Sequence, residues 1–221
     1  HSWPQPSAIA RIEGVGELAR EVVILGAHID SSCGFCSVND RAPGADSDAS
    51  GMAALLEAYR LIIDATNGNT DERRSIEFHM YAAEDVRLQG SREIAADYKS
   101  RGVDVYAMIM FDMIGYTERT EPVMGVMSDY TNPELTQFTK LMIDTYCDIP
   151  RVDSACNTQC SSHVNWFLEG YATAYPFEGP YEERNPFTLT NKDTEDLISY
   201  DHVEQFVKLA IGFAYELILY K

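Results

Sequence analysis

His28, Asp30, Asp46, Asp48, Glu84, Asp85 and Asp112 are the residues of this chain best suited to chemistry. Histidine imidazole and carboxylate are, besides thiolate, the ligands zinc accepts, so a place where these side chains converged would make a cation site. Taken singly, each has a plainer use. His28 and Asp30 read as a hydrogen-bonded pair at a strand end, and the acidic run Asp46-Ser47-Asp48 as a solvated helix start favoured by the macrodipole.

The elements that must position them follow from periodicity. Residues 7–13 and 21–28 read as strands, the second a nearly unbroken apolar run of the kind found in a sheet covered on both faces. Met52, Leu55, Leu56, Tyr59, Ile62 and Ile63 recur at helical spacing after the Asp48/Ser50 capping region, and Asn67-Gly68-Asn69 closes that helix. Further strands are expected over 75–83, 105–113, 123–127 and 172–176, and helices over 91–101, 134–147, 162–168 and 200–219. Strands alternating with helices predict an α/β fold, a three-layer α/β/α sandwich around a mixed, mostly parallel twisted sheet. In such open sheets ligands gather at the carboxyl ends of the strands, where His28, Glu84, Asp85 and Asp112 would meet.

At 221 residues with 45% apolar content the chain can bury a large core, and one domain over 1–221 is expected. Lys+Arg 17 against Asp+Glu 35 gives a formal charge of -18, which argues against nucleic acid as a partner, because counterion release would be lost. No apolar run reaches the roughly 18 residues of a membrane span, and no signal-peptide pattern opens the chain. A soluble, already processed protein is expected. The five cysteines are odd in number. Cys33 with Cys36 and Cys156 with Cys160 read as two short-loop disulfides in an oxidising compartment, leaving Cys147 free or buried in a helix; a CxxC redox centre is the alternative for the first pair.

Six segments in the same order, GAHIDS, APGADSDASG, YAAEDVRLQGS, FDMIGY, CSSHVNWFLEGY and NPFTLTNKDT, together with the opening HSWPQPSAIARIEG, resemble the secreted two-zinc leucyl aminopeptidases of bacteria and fungi. The resemblance spans nearly the whole chain. It implies the zinc exopeptidase fold shared with glutaminyl cyclase and the transferrin-receptor ectodomain, secretion to the extracellular space, and the absence here of an N-terminal portion of the family domain.

Carried over position by position, the resemblance implies that His28 and Asp112 are retained zinc ligands and that Asp85 stands where a glutamate ligand is expected. Ser47 stands in place of the bridging aspartate, and Leu189 in place of a histidine. Asp30 and Asp48 match the supporting carboxylates, and Glu84 matches the general base. A hydroxyl is a far poorer bridge than a carboxylate, and Leu189 offers no lone pair, so a two-zinc site is not expected and the cofactor reading is none or one zinc. His28 and Asp112, with Asp46 or Asp48 reoriented, could hold that single ion.

Two functions therefore stay open. The first is a noncatalytic pseudo-aminopeptidase acting as a binding, interaction or structural protein, with peptide N-termini or another protein as partner. The second is a weak one-zinc aminopeptidase releasing apolar N-terminal residues. His79 and His202 are expected to be satisfied structural histidines. His163 follows Ser162, where the family carries an aspartate, and is expected to line the pocket. Phe167, Tyr171, Tyr175, Phe177 and Tyr181 are expected to form core and wall, in a region the family uses for an apolar substrate side chain.

Overall fold

A computed structural model describes residues 3–34, 36–37 and 40–219. Phe35 of the Cys33–Cys36 loop and the first two residues of the HSWPQP opening lie outside the described residues. The main sheet has five strands in the order β1-β3-β2-β4-β7. These are β1 (Ala8–Ile12), β2 (Glu21–His28), β3 (Ser75–Tyr81), β4 (Asp104–Met110) and β7 (Thr173–Ala174). β1 runs antiparallel to β3, and the other neighbours are parallel, so the sheet is mixed and mostly parallel as expected.

The period of two in β2 explains why it reads as unbroken apolar sequence. Val23, Leu25 and Ala27 face a core shared with helices α1 (Gly51–Thr66), α3 (Pro133–Tyr146) and α5 (Tyr200–Leu219). Val22 and Ile24 face a second core with α2 (Gln89–Arg101) and Trp166 of α4 (His163–Leu168). Both faces are covered, so every position from Val22 to Ala27 is apolar. β4 splits in the same way, sending Ala107 and Ile109 to one core and Met108 and Met110 to the other.

The structure departs from the sequence reading in two places. A second sheet, ordered β6-β5-β8, joins β5 (Met124–Met127), β6 (Arg151–Ser154) and β8 (Pro176–Phe177). β6 is not among the strands expected from the sequence, because it is a half-exposed edge with no apolar alternation. The single strand expected over 172–176 is two: the chain leaves the main sheet after Ala174 and pairs with β5 from Pro176. Proline, lacking an N–H, suits such an edge position.

His79 is satisfied at both ring nitrogens as expected, whereas His202 is bonded through one, its Nδ1 being buried without a partner among the described residues. His79 Nε2 lies 2.9 Å from Glu77 Oε2 and its Nδ1 3.1 Å from the Tyr81 hydroxyl, while His202 Nε2 lies 2.9 Å from the Glu178 carbonyl. Arg11, at 2.7 Å, and Tyr98, at 2.8 Å, also bind Glu77. Burial raises the Glu77 carboxyl, but His79, Arg11 and Tyr98 outweigh it and bring it down to about 2. The disulfides Cys33–Cys36 and Cys156–Cys160 are present, and Cys147 is free and half-buried.

Candidate active-site cleft

The carboxyl ends of β2, β3 and β4 meet at one point. His28 ends β2, Glu84 and Asp85 follow β3, and Asp112 follows β4. These four, with Ser47 and Leu189, line a cavity of about 180 Å³ whose apolar wall includes Leu88, Met113, Tyr175 and Phe177. The positions read as lost and retained ligands thus share one cavity. Asp30 holds the loops together, its carboxylate accepting from the backbone N–H of Glu84 at 3.1 Å and of Asp85 at 3.4 Å. Burial would raise the Asp30 carboxyl, but the bonds from His28 and the Glu84 N–H keep it below its ordinary value.

The loop carrying Ser47 is built by its glycines and by a cage of acids. Gly44 has φ +60, and a Cβ there would fall 2.5 Å from Ser31 Cβ and 2.7 Å from the Ser47 carbonyl. A Cβ at Gly51 would meet the Phe111 carbonyl at 2.2 Å, so only glycine lets α1 begin against the end of β4. Asp193 accepts from the N–H groups of Asp46 and Ser47 at 3.0 and 3.1 Å, and Asn185 donates to Asp46 Oδ2 at 3.1 Å. Asp46 turns away from the cleft and also accepts from Gly115 N–H at 2.8 Å. Asp48 turns inward: its oxygens accept from His28 N–H at 2.9 Å and, capping α1, from Gly51 N–H at 3.0 Å.

His28 is 1% exposed and both its ring nitrogens face oxygen. Nδ1 donates to the Asp30 carbonyl at 2.9 Å; Nε2 lies 3.4 Å from Asp112 Oδ1 and 3.5 Å from Ser47 Oγ. Burial alone would lower the His28 pKa, but the Asp112 charge and the Asp112 and Asp30 contacts raise it well above its ordinary value. Burial and the Asp112 charge push the Asp48 carboxyl up strongly. Burial also raises Glu84, to about 7, with the nearby His28 charge opposing and the Asp112 charge adding.

Glu84 is hemmed in by hydroxyls. Ser162 donates to Glu84 Oε2, and its oxygen lies 2.6 Å from Ser91 Oγ. Ser161 donates to Asp112 Oδ2 at 2.6 Å, and its oxygen lies 3.2 Å from Glu84 Oε1. Ser162 is the position where the family resemblance implies an aspartate, whereas Ser161 carries no signal in the sequence beyond the quoted segment CSSHVNW, since a hydroxyl has no periodic signature. His163, expected at the pocket, stacks on Tyr175 at 4.6 Å and sets Nε2 3.1 Å from the Asp129 carbonyl. Burial lowers its pKa to about 4, so it is neutral. Of the aromatic group, Tyr175, Phe177 and Tyr181 line the cleft, whereas Tyr171 packs on Trp166 and Phe167 is exposed against Tyr130.

Among the described residues one group of side chains has donor atoms close enough to share a metal ion: His28, Asp48 and Asp112, within 4.8 Å of one another. Asp85 borders the same cavity without joining that set. Asp112 Oδ1 and Asp85 Oδ2 are buried without hydrogen-bond partners among the described residues. Three donors satisfy one ion with water completing its shell, and an ion would reverse the pressures that protonate His28 and Asp48. A pair of ions does not fit, because Ser47 and Leu189 supply no anionic bridge and no further terminal ligand.

A mixed sheet with helices on both faces and a His/Asp cluster at its carboxyl edge defines the zinc exopeptidase class of fold. The match to Peptidase family M28 covers residues 7–214, and the chain belongs to that family. Leucine aminopeptidase 1 of Coccidioides posadasii is 40% identical over 225 residues, covering 98% of this chain and 57% of that protein. Leucine aminopeptidase 1 of Emericella nidulans is 41% identical over 223 residues, with 98% and 56% covered. The chain thus spans a little over half the length of these curated relatives. Among solved structures, LapA of Legionella is similar at TM-score 0.88 and 34% identity, over 98% of this chain and 58% of that one. Glutaminyl cyclase from an Acidobacteriales bacterium shares the fold at TM-score 0.76 and 18% identity, over 96% and 73%.

Proposed function

We propose that this chain is a noncatalytic aminopeptidase-like protein that keeps the cleft of its family and uses it, or its acidic surface, to bind peptide N-termini or a protein partner. The observation that carries this reading is Leu189 in the cavity wall beside His28, Asp85 and Asp112. An alkyl group there gives up a ligand outright, and Ser47 gives up the bridge. Losing a Lewis acid worth several kcal/mol of barrier means orders of magnitude in rate, since about 1.36 kcal/mol is tenfold. Ser162, donating to Glu84 Oε2, competes for the carboxylate that a general base would offer to water. We further propose an extracellular setting, which the two disulfides support. No helix of the described residues is long and apolar enough to cross a membrane.

A second reading rests on the His28, Asp48 and Asp112 set: a weak aminopeptidase releasing apolar N-terminal residues. Those three side chains would hold one zinc, which supplies carbonyl polarisation and a more acidic water when bound. Glu84, at the cleft floor, would then move the proton.

Elemental analysis of the purified chain, with turnover of a leucyl anilide before and after zinc addition, separates the two. The noncatalytic reading expects less than two zinc ions per chain and no turnover that Glu84→Gln abolishes. Bound zinc with Glu84-dependent cleavage would overturn it.

A further inference from the structure

α1 carries apolar side chains on the side turned away from the core as well as on the side turned in. Ala54, Leu55, Ala58 and Ile62 are buried in the core, whereas Ala53, Leu56, Arg60 and Ile63, at i, i+3, i+7 and i+10, are exposed. That spacing puts the second set in one row, the row on which a partner helix seats its own a and d side chains. Leu56 is 50% and Ile63 39% exposed. A single exposed leucine is ordinary, but a continuous row at helical spacing marks an interaction surface. Arg60, the one charge in the row, is tied to Glu57 at 2.7 Å, and its stem is apolar.

At its N-terminal end the row meets a groove of about 1100 Å³. Ala49 and Ala53 line it from α1 and the turn before it, and Ile198, Tyr200 and Val203 from the start of α5 and the turn before that. Val207 and Ile211, half-buried, continue the Val203 row along α5. The space exceeds the roughly 300–1,000 Å³ of small-molecule pockets, and among the described residues it shares no lining side chain with the His28 cleft. Two alanines on its wall let another helix approach closely.

Charge fixes the chemistry of the occupant. Among the described residues the charged groups lining the groove are Arg41 and two acids, Glu195 and Asp196, both exposed on the turn Glu195–Leu197. With the whole chain at -18, a second copy would meet repulsion and a basic segment attraction.

We propose that α1 and the start of α5 form a docking groove for a basic amphipathic helix of another protein, its apolar face on Ala53, Leu56 and Val203 and its lysine or arginine side chains at Glu195 and Asp196. A helix of three turns is about 16 Å long, enough to run from the groove onto Leu56, one turn beyond Ala53. The groove lies outside the cleft, so the inference goes beyond the noncatalytic reading and does not depend on it.

The test is fluorescence anisotropy of the whole chain with three labelled peptides of about 18 residues, long enough for several helical turns. The first has leucine at the a and d positions and lysine elsewhere, the second the same composition scrambled so that no apolar face forms, and the third glutamate in place of lysine. The first is expected to bind at least about tenfold more tightly than either of the others. Ala53→Trp and Leu56→Asp, both at exposed positions, are each expected to weaken it about tenfold or more, so that a fold defect in one leaves the other to decide. Glu195→Gln with Asp196→Asn is expected to weaken it and flatten its salt dependence, while Leu141→Asp, at a position 56% exposed on α3, leaves it unchanged. Equal binding of the scrambled peptide, preference for the glutamate peptide, or an affinity indifferent to Ala53→Trp and Leu56→Asp would each overturn the proposal. Sedimentation showing the unmixed chain to be a dimer that Leu56→Asp dissociates would overturn it too, by making a second copy the occupant.

Discussion

Ser161 donates its hydroxyl to Asp112 Oδ2 at 2.6 Å, tying the loop before α4 to the end of β4. That bond joins two cleft walls through a neutral group. Ser161→Ala would leave a buried carboxylate oxygen without its donor, at a cost of about 1–3 kcal/mol. Thermal unfolding should then shift down by roughly 2–4 °C per kcal/mol for a chain of this size. An unchanged midpoint would show that the bond contributes nothing.

The Glu84 carboxyl sits near 4.5 in an unfolded chain and at about 7 in the fold. Between those values the native state holds the proton more tightly than the unfolded chain, so this group's contribution to stability falls as pH rises through the window. Glu84→Gln removes the titration and should flatten that part of the profile, with its relative gain largest above pH 7. Denaturant unfolding at several pH values checks this; a variant with the wild-type slope would contradict it.

Placing a carboxylate at 47 and an imidazole at 189 tests the proposed loss of two ligands. Ser47→Asp alone, in EDTA, adds a carboxylate beside Asp48 and Asp112 and should destabilise the fold by about 1–3 kcal/mol. Together with Leu189→His it should gain zinc binding, and zinc should then raise the midpoint of the double variant far more than that of the parent. Failure of the double variant to take up more zinc than the parent would remove the alignment of these positions.

Burial pushes the Cys147 thiol up to about 12, and its Sγ donates to the Gln205 carbonyl at 3.3 Å. Alkylation with iodoacetamide at pH 8 should be slow in the native, unreduced protein and fast once it is unfolded, because the thiolate is the reactive form. Rapid native labelling, read by mass, would contradict the burial.

Much of this was legible in the sequence for identifiable reasons. β2 and β4 betray themselves because both faces are covered, and α1 and α5 because their buried stripes recur at helical spacing. The positions of His28, Glu84, Asp85 and Asp112 follow from strand ends, which apolar runs mark plainly. β6 escaped because an exposed edge leaves no pattern, and the sheet switch at Tyr175 escaped because two-residue strands are too short to have a period.

The sequence by itself determined which donors exist: one imidazole at residue 28, carboxylates at 30, 48, 84, 85 and 112, a hydroxyl at 47 and an alkyl group at 189. Side-chain chemistry is fixed by residue type, so the absence of a carboxylate at 47 and of any lone pair at 189 needed no coordinates. Which donors meet was decided only by the tertiary structure, because Asp46 and Asp48 are equally acidic and two residues apart. Backbone N–H groups of Gly115 and His28, distant in the chain, turn the first outward and the second into the cleft.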